Sequence, residues 1–362
     1  MNELLIKYLV VIGVSAAVTY LAAFIIKYIS RVINCLDRPD DTYKLHTQAT
    51  PRLGGIAIYA GFFIGIWSSI FYSGFSILHY PMRYTIVISS LMALLVGLWD
   101  DFRKIHSDGL SALIKLAILF VLTFILSLNG IIVNLPFPRE INIALTLLWL
   151  VGCTSAFNAM DNMDGLASGI SLIAAAAYAV VAIQTSQFVW GIIAAALIGS
   201  NLGFLFHNFH PVSKKPASIF MGDGGSFFLG FILAVMSIMG GWSTNPLKAS
   251  IVPVLILGVP LIDLVYVIIR RQKLGITKSL KDIVVYSGTD HFSHRINQSG
   301  FSRHKTVMLI YLISFTLSLG AVILRNTSKY EAVLLLAQFF LTFLIIFIFI
   351  EVFLRQNRQK SH

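Results

Sequence analysis

Apolar residues run along this chain in long blocks separated by short polar stretches, with neither the alternation of a half-buried strand nor the stripe of a surface helix. A helix needs about 20 predominantly apolar residues to cross a bilayer, and the blocks have that length. They predict eleven spans: Leu4–Ile29, Leu53–Tyr72, Met82–Leu98, Leu110–Leu128, Ile141–Phe157, Leu166–Ile183, Phe188–Phe206, Ser218–Met239, Ile251–Ile269, Thr306–Leu324 and Ala332–Phe353. The expected fold is an all-α integral membrane protein, one polytopic domain over residues 1–362, because no soluble domain fits between the blocks. The first block is too long for a secretory signal and lacks a small-residue cleavage site, so it is expected to be a span.

Composition agrees: 57% of residues are apolar and 12% charged, and the mean hydropathy of +0.82 lies outside the soluble range. A net charge of +11 would suggest nucleic acid in a soluble protein. Here its distribution encodes topology and attraction to anionic lipid, so the bilayer is the expected partner and nucleic acid is not. The loops after odd-numbered spans, the span ends bordering them and the C-terminal tail hold 21 of the 27 Lys and Arg, leaving 6 for the other side. By the positive-inside rule those loops are cytosolic, which puts the N-terminus outside and the C-terminus inside. Of 16 Asp and Glu, only Glu3, Glu140 and Glu331 fall outside. The chemistry is therefore expected in cytosolic loops at about 30–52, 99–110, 158–165, 207–223 and 270–305. Cys35 and Cys153 lack CxxC or Cys/His spacing, which argues against a disulfide or zinc site.

Asp100-Asp101 closes the third span. Adjacent carboxylates at an interface repel each other and need a cation or proton to share, and negative charge at a helix C-terminus opposes the macrodipole. Asn158-Ala-Met-Asp161-Asn162-Met-Asp164-Gly165-Leu166 puts carboxylates three apart between two spans, which suits a metal, a ribose or a nucleobase edge, and equally a turn with a helix cap. Phe220-Met221-Gly222-Asp223-Gly224-Gly225-Ser226 opens the eighth span with glycines around one carboxylate, a pattern for phosphate at a helix N-terminus with Asp223 free for Mg²⁺.

Two basic groups complement these acids. Asp290-His291-Phe292-Ser293-His294-Arg295 lacks a third zinc ligand at the usual spacing, so its imidazole and guanidinium groups are read as contacts to a diphosphate. Lys44, His46 and Arg52 form the second group, and for Lys44 alone a topology charge explains as much. Lys115 lies about a turn inside the fourth span and is expected to face the acids. Asp263 of the ninth span needs a buried partner. Carboxylates, glycines and cations gathered on one membrane face suit metal-assisted phosphoryl transfer between a lipid and a soluble substrate. A transport pathway would need charge on both faces.

The ordered set Thr50-Pro51-Arg52-Leu53-Gly54-Gly55, Asp100-Asp101, Asn158-x-x-Asp161-x-x-Asp164-Gly165-Leu166, Phe220-Met-Gly-Asp223-x-Gly-Ser226, Pro260-Leu-Ile-Asp263 and His291-x-x-His294-Arg295 resembles the polyprenyl-phosphate N-acetylhexosamine-1-phosphate transferases of glycosyltransferase family 4. The likeness covers residues from about 30 to 305. It implies transfer of a HexNAc-1-phosphate, GlcNAc-1-phosphate in the branch this loop resembles, from UDP-HexNAc to polyprenyl (undecaprenyl) phosphate. The products are polyprenyl-diphosphate-HexNAc and UMP, opening assembly of a cell-envelope glycan at the bacterial inner membrane. The phospho-N-acetylmuramoyl-pentapeptide transferases are the alternative within the family, and a non-catalytic lipid-sugar transporter the alternative outside it.

The resemblance also implies the roles. Asp223, with Asp164, binds Mg²⁺, for which Mn²⁺ can substitute. Asp100 and Asp101 handle the lipid phosphate and Lys115 contacts phosphate, while Asn158, Asp161, Asp164 and Phe220 line the nucleotide site, Phe220 stacking on uracil. A homodimer stays open. The chain departs from the pattern in a longer link between Asn208 and Phe220, and in Gly224, where Thr is frequent.

Overall fold

The computed structural model describes residues 2–38, 49–71, 83–105, 107, 109–212, 215–279, 282–283, 286 and 288–360. Lys44 and His46 lie outside these described residues. The elements are α1 (Asn2–Val32), β1 (Leu36–Asp37), β2 (Thr50–Pro51), α2 (Gly54–Ser68) with a 3₁₀ turn at Ser69–Phe71, α3 (Arg83–Arg103), α4 (Ala112–Leu128), α5 (Arg139–Met160), α6 (Leu166–Gln184) and α7 (Phe188–Asn208). There follow α8 (Gly222–Met239), α9 (Pro246–Ile256), α10 (Gly258–Lys273), α11 (Phe292–Gln298), α12 (Arg303–Leu324) and α13 (Lys329–Lys360). The strands form one antiparallel pair, Leu36 opposite Pro51 and Asp37 opposite Thr50.

Among the described residues, nine helices are long and apolar enough to cross a membrane unaided, so the chain is an all-α multi-pass membrane protein. The two remaining predicted spans differ from a straight helix of full length. The fourth is α4, with 17 residues. The ninth is broken into α9 and α10, inclined at 77°. The break follows from Pro260, which has no N–H to donate to the Ile256 carbonyl four residues back, so the ladder stops at Leu257. A second departure concerns α3, which continues to Arg103, so Asp100 and Asp101 lie in its last turn instead of beyond it.

The bundle is built around α8, in which every residue from Gly224 to Ser237 is buried. A helix apolar on all sides belongs at a bundle centre, and α2, α3 and α5 pack around this one. Small residues set the closest approaches: Gly199 and Gly203 of α7 lie against the Ile12 and Ala16 carbonyls of α1. At the site, the controlling residue is Gly97 of α3, where a Cβ would sit 2.2 Å from the Asp223 carbonyl oxygen. No side chain fits there without moving α3 off the N-terminus of α8. Gly97→Ala should therefore destabilise the protein by about 1–3 kcal/mol, the usual cost of overpacking, read as a lowered melting temperature in detergent.

Candidate active site

The floor of the site is a junction of backbone ends. Phe220 N–H donates to the Pro51 carbonyl at 2.7 Å, Gly54 N–H to Phe220 O at 3.0 Å and Gly55 N–H to Met221 O at 2.8 Å. These bonds sew the Thr50–Gly55 motif to the Phe220–Ser226 motif. Gly222 makes the turn with φ +73°, and a Cβ there would meet the Arg52 carbonyl at 2.1 Å, so the position demands glycine twice over. The helix that starts here has no side-chain cap of its own. Asp101 supplies one from α3, accepting from Asp223 N at 3.1 Å and Gly224 N at 3.0 Å. Arg52 Nε lies 3.2 Å from Asp101 Oδ1, and its Nη1 3.2 Å from Asp37 Oδ1.

Asp100 and Asp223 face each other across two ammonium groups. Lys104 Nζ lies 2.6 Å from Asp100 Oδ2 and 3.2 Å from Asp223 Oδ1. Lys115 Nζ is 3.2 Å from Asp100 Oδ2 and 3.0 Å from Asp223 Oδ2. Asp100 also accepts from Leu110 N at 2.6 Å, which fixes the entry to α4. Each lysine therefore holds part of the carboxylate pair's charge and keeps donors available to a phosphate oxygen.

The turn after α5 brings a second acidic group to the same place. Asn158 Oδ1 accepts from Ser226 Oγ at 2.9 Å, tying α5 to α8. Asp164 accepts from Ala217 N at 3.1 Å. Asn208 joins both sides of the longer link, accepting from Gly165 N at 2.7 Å and donating to Ile219 O at 2.8 Å. Asp161, half-buried at the end of α5, is pushed up to about 8 by burial and then by Asp223, Asp101 and Asp164.

Opposite the acids stands α11. Asp263 of α10 accepts from Phe292 N at 2.6 Å and lies 2.8 Å from His291 Nδ1, so it caps α11 and fixes the imidazole proton on Nδ1. Ser293 Oγ donates to Asn162 Oδ1 at 2.7 Å. Arg271 makes a bidentate pair with Asp290, at 2.7 and 2.6 Å, and donates to the Tyr286 carbonyl at 2.9 Å.

These walls enclose a cavity of about 1400 Å³. Its polar end is lined by Arg52, Lys115, Asn158, Asp161, Asp164, Phe220, Asp223, His291 and His294, so the structure gathers these predicted residues. From there an apolar groove runs between α4, α5 and α10, past Leu119, Phe120, Leu147, Val151, Leu264 and Ile268. Among the described residues, three predicted ones lie outside the lining. Asp100 and Asp101 are buried behind the wall, because their oxygens are committed to the lysines and to backbone N–H groups. Arg295 turns away to pair with Glu351 of α13.

A hard cation suits this donor set. Among the described residues no three His, Cys, Asp or Glu side chains stand close enough to hold an ion unaided. Mg²⁺ binds through one or two carboxylates with water and phosphate oxygens completing its shell, and Asp223 with Asp164 could hold it that way.

The model of glycosyl transferase family 4 matches residues 83–241, the stretch from α3 to α8 that carries most of these acids. Across 96% of its length the chain is 32% identical to a probable undecaprenyl-phosphate N-acetylglucosaminyl 1-phosphate transferase of Bacillus subtilis, covering 92% of that protein. The chain belongs to glycosyl transferase family 4. It is also 30% identical to a decaprenyl-phosphate N-acetylglucosaminephosphotransferase of Mycobacterium leprae, over 87% of this chain and 83% of that one. A phospho-N-acetylmuramoyl-pentapeptide-transferase of Caldicellulosiruptor bescii is 31% identical over 66% of this chain and 74% of that one.

In this family member, sequence reasoning passed over Lys104, Ser226, Asn162 and Asn208 as site residues. Lys104 was legible as the i+4 neighbour of Asp100, and Ser226 as the residue one helical turn beyond Asp223. Asn208 was marked only as the start of the longer link, and nothing local showed that it binds Gly165 and Ile219. Two measurements follow. Asp263→Ala strips Phe292 N–H and His291 of their acceptor and should cost about 1–3 kcal/mol of stability, seen in the melting temperature. Asp161 binds its proton more tightly in the folded chain, so the stability it contributes is full below its ordinary carboxylate range and lost as pH rises through about 8. The metal-free protein should melt progressively lower from pH 5 to 8, and Asp161→Asn should flatten that slope.

Proposed function

We propose that the protein transfers N-acetylglucosamine 1-phosphate from UDP-N-acetylglucosamine to a polyprenyl phosphate, giving the polyprenyl diphosphate sugar and UMP. The observation that carries this reading is the continuity of one cavity. Its polar end joins Asp161, Asp164, Asp223 and Lys115 to His291, and its other end is an apolar groove between α4, α5 and α10. A soluble diphosphate and an isoprenoid chain each need one of these environments, and phosphoryl transfer needs both substrates in line. The names of the Bacillus subtilis and Mycobacterium leprae relatives point the same way, and they cover more of the chain than the pentapeptide transferases do.

In this reading the lipid phosphate oxygen attacks the β-phosphorus, a new P–O bond forms, and the bond to the bridging oxygen breaks as UMP leaves. With a second pKa near 6, the lipid phosphate is already largely dianionic, so proton removal contributes little. Asp100 then acts by holding Lys115 at the cavity wall, with Lys104 bridging the carboxylates, an alignment role, and Asp101 acts by capping the helix that presents Asp223. Phe220 offers a face to the uracil ring. His291, with its proton held on Nδ1 by Asp263, presents Nε2 as an acceptor, which suits a hydroxyl or amide N–H of the donor rather than its phosphate oxygens. Asp223 and Asp164 would hold Mg²⁺, or Mn²⁺ as its substitute, and the ion would supply neutralisation of phosphate charge. The site opens to the cytosol of a bacterial inner membrane, with the N-terminus outside, on the strength of the basic loops.

Detergent-purified protein supplied with UDP-N-acetylglucosamine, polyprenyl phosphate and Mg²⁺ should release UMP. Chelation should stop the release, and added Mg²⁺ or Mn²⁺ should restore it. Asp223→Ala should lower kcat by a factor on the order of 10³. Replacing the donor by UDP-N-acetylmuramoyl-pentapeptide should lower kcat/KM by at least about tenfold. No UMP from the wild-type protein, or release indifferent to Asp223→Ala, would sink the proposal and favour a carrier. A phosphorylated enzyme trapped without acceptor lipid would replace direct attack by a two-step route.

A further inference from the structure

Helix α11 has only seven residues, too few to be stable alone, yet with His291 immediately before it and His294 within it, it sets two of the imidazoles that line the cavity. Its orientation must come from outside itself. Three tethers are visible. Asp263 caps its first turn, and Asn162 accepts from Ser293. The third comes from the last helix of the chain: Arg295 Nη2 donates to Glu351 Oε1, and the Tyr266 hydroxyl of α10 donates to the same oxygen at 2.9 Å.

Aromatic packing reinforces that corner. Tyr266 stacks on Phe347 of α13 with centroids 4.6 Å apart, and Phe292 meets the same ring at 5.3 Å. Glu351 therefore ties three helices together at one oxygen. Arg295 lies in the middle of this corner with a side chain only 5% exposed. A guanidinium so placed relies on its partner, because removing one member of a buried pair leaves the other charge uncompensated.

We propose that Glu351 is a positioning residue: through Arg295 and Tyr266 it holds α11 in the orientation that presents His291 and His294 to the cavity. Arg295 accordingly serves turnover through Glu351, and not by touching the sugar nucleotide. This rests on the transferase reading of the cavity. It gives the terminal helix, which otherwise packs sparsely on the bundle, a part in substrate binding.

The test uses the full chain in detergent and the UMP-release assay. Glu351→Gln keeps an acceptor but removes the charge, and should raise KM for UDP-N-acetylglucosamine by about tenfold with kcat changed by less than about threefold, because the imidazoles contact donor in ground and transition states alike. Glu351→Asp should recover part of the loss. Arg295→Ala should raise KM similarly, and Arg295→Ala/Glu351→Gln should be no worse than Arg295→Ala, as expected for residues acting as one unit. Leu344→Ala on the exposed side of the same helix should leave kinetics unchanged. Wild-type kinetics for Glu351→Gln, or additive losses in the double variant, would overturn the proposal.

Hydrogen–deuterium exchange of residues 292–298 reads the same tether without any substrate. Glu351→Gln should raise exchange there, and unaltered exchange overturns the tether whatever the assay gives. If exchange rises while the wild-type protein releases no UMP, the tether stands and the transferase reading falls.

Discussion

In an apolar bundle a backbone N–H at a helix end has no water to fall back on, and here carboxylates from neighbouring helices take that place. Asp101 receives the first amides of α8, Asp263 that of α11, Asp100 that of Leu110 before α4, and Asp164 that of Ala217 before the Phe220 motif. Each bond satisfies a buried donor and at the same time fixes one element against another. The site is therefore the set of joints of the bundle, and its chemistry cannot be separated from its architecture.

Charge balance follows from that arrangement. The inner group of Asp100, Asp101 and Asp223 is matched by Lys104, Lys115 and Arg52, so these buried ions sit within hydrogen-bonding reach of opposite charge. Beside this set, Asp161 holds its proton because of burial first and the neighbouring carboxylates second. A cation brought to this wall would compete with that proton, and Lys115, which lines the same cavity, keeps an N–H donor directed to it.

The spans were legible because hydropathy reports burial in lipid and protein alike, and the acids because charge so close to an apolar block calls for a partner. What escaped was pairing over long sequence separation. Arg295 follows two histidines in a basic loop and reads as an anion contact, but its partner Glu351 lies 56 residues downstream on the last helix. Asp100 and Asp101 read as groups facing substrate, whereas the amides and ammonium groups that engage them turn them inward. The break in the ninth span was legible in Pro260 and was hidden by the apolar residues around it. Asp263 shows the opposite case, since the demand for a buried partner was plain from its position and His291 met it.

The length of α4 bears on where the reaction can happen in depth. Seventeen residues at about 1.5 Å each span some 25 Å, short of the roughly 30 Å of a hydrocarbon core. Lys115 stands in the first turn of this helix, so it lies at one end of the apolar segment and not deep within it. A phosphate-bearing lipid in the groove beside α4 would meet the Lys115 ammonium at that end, with its chain still among Leu119, Phe120 and Val151.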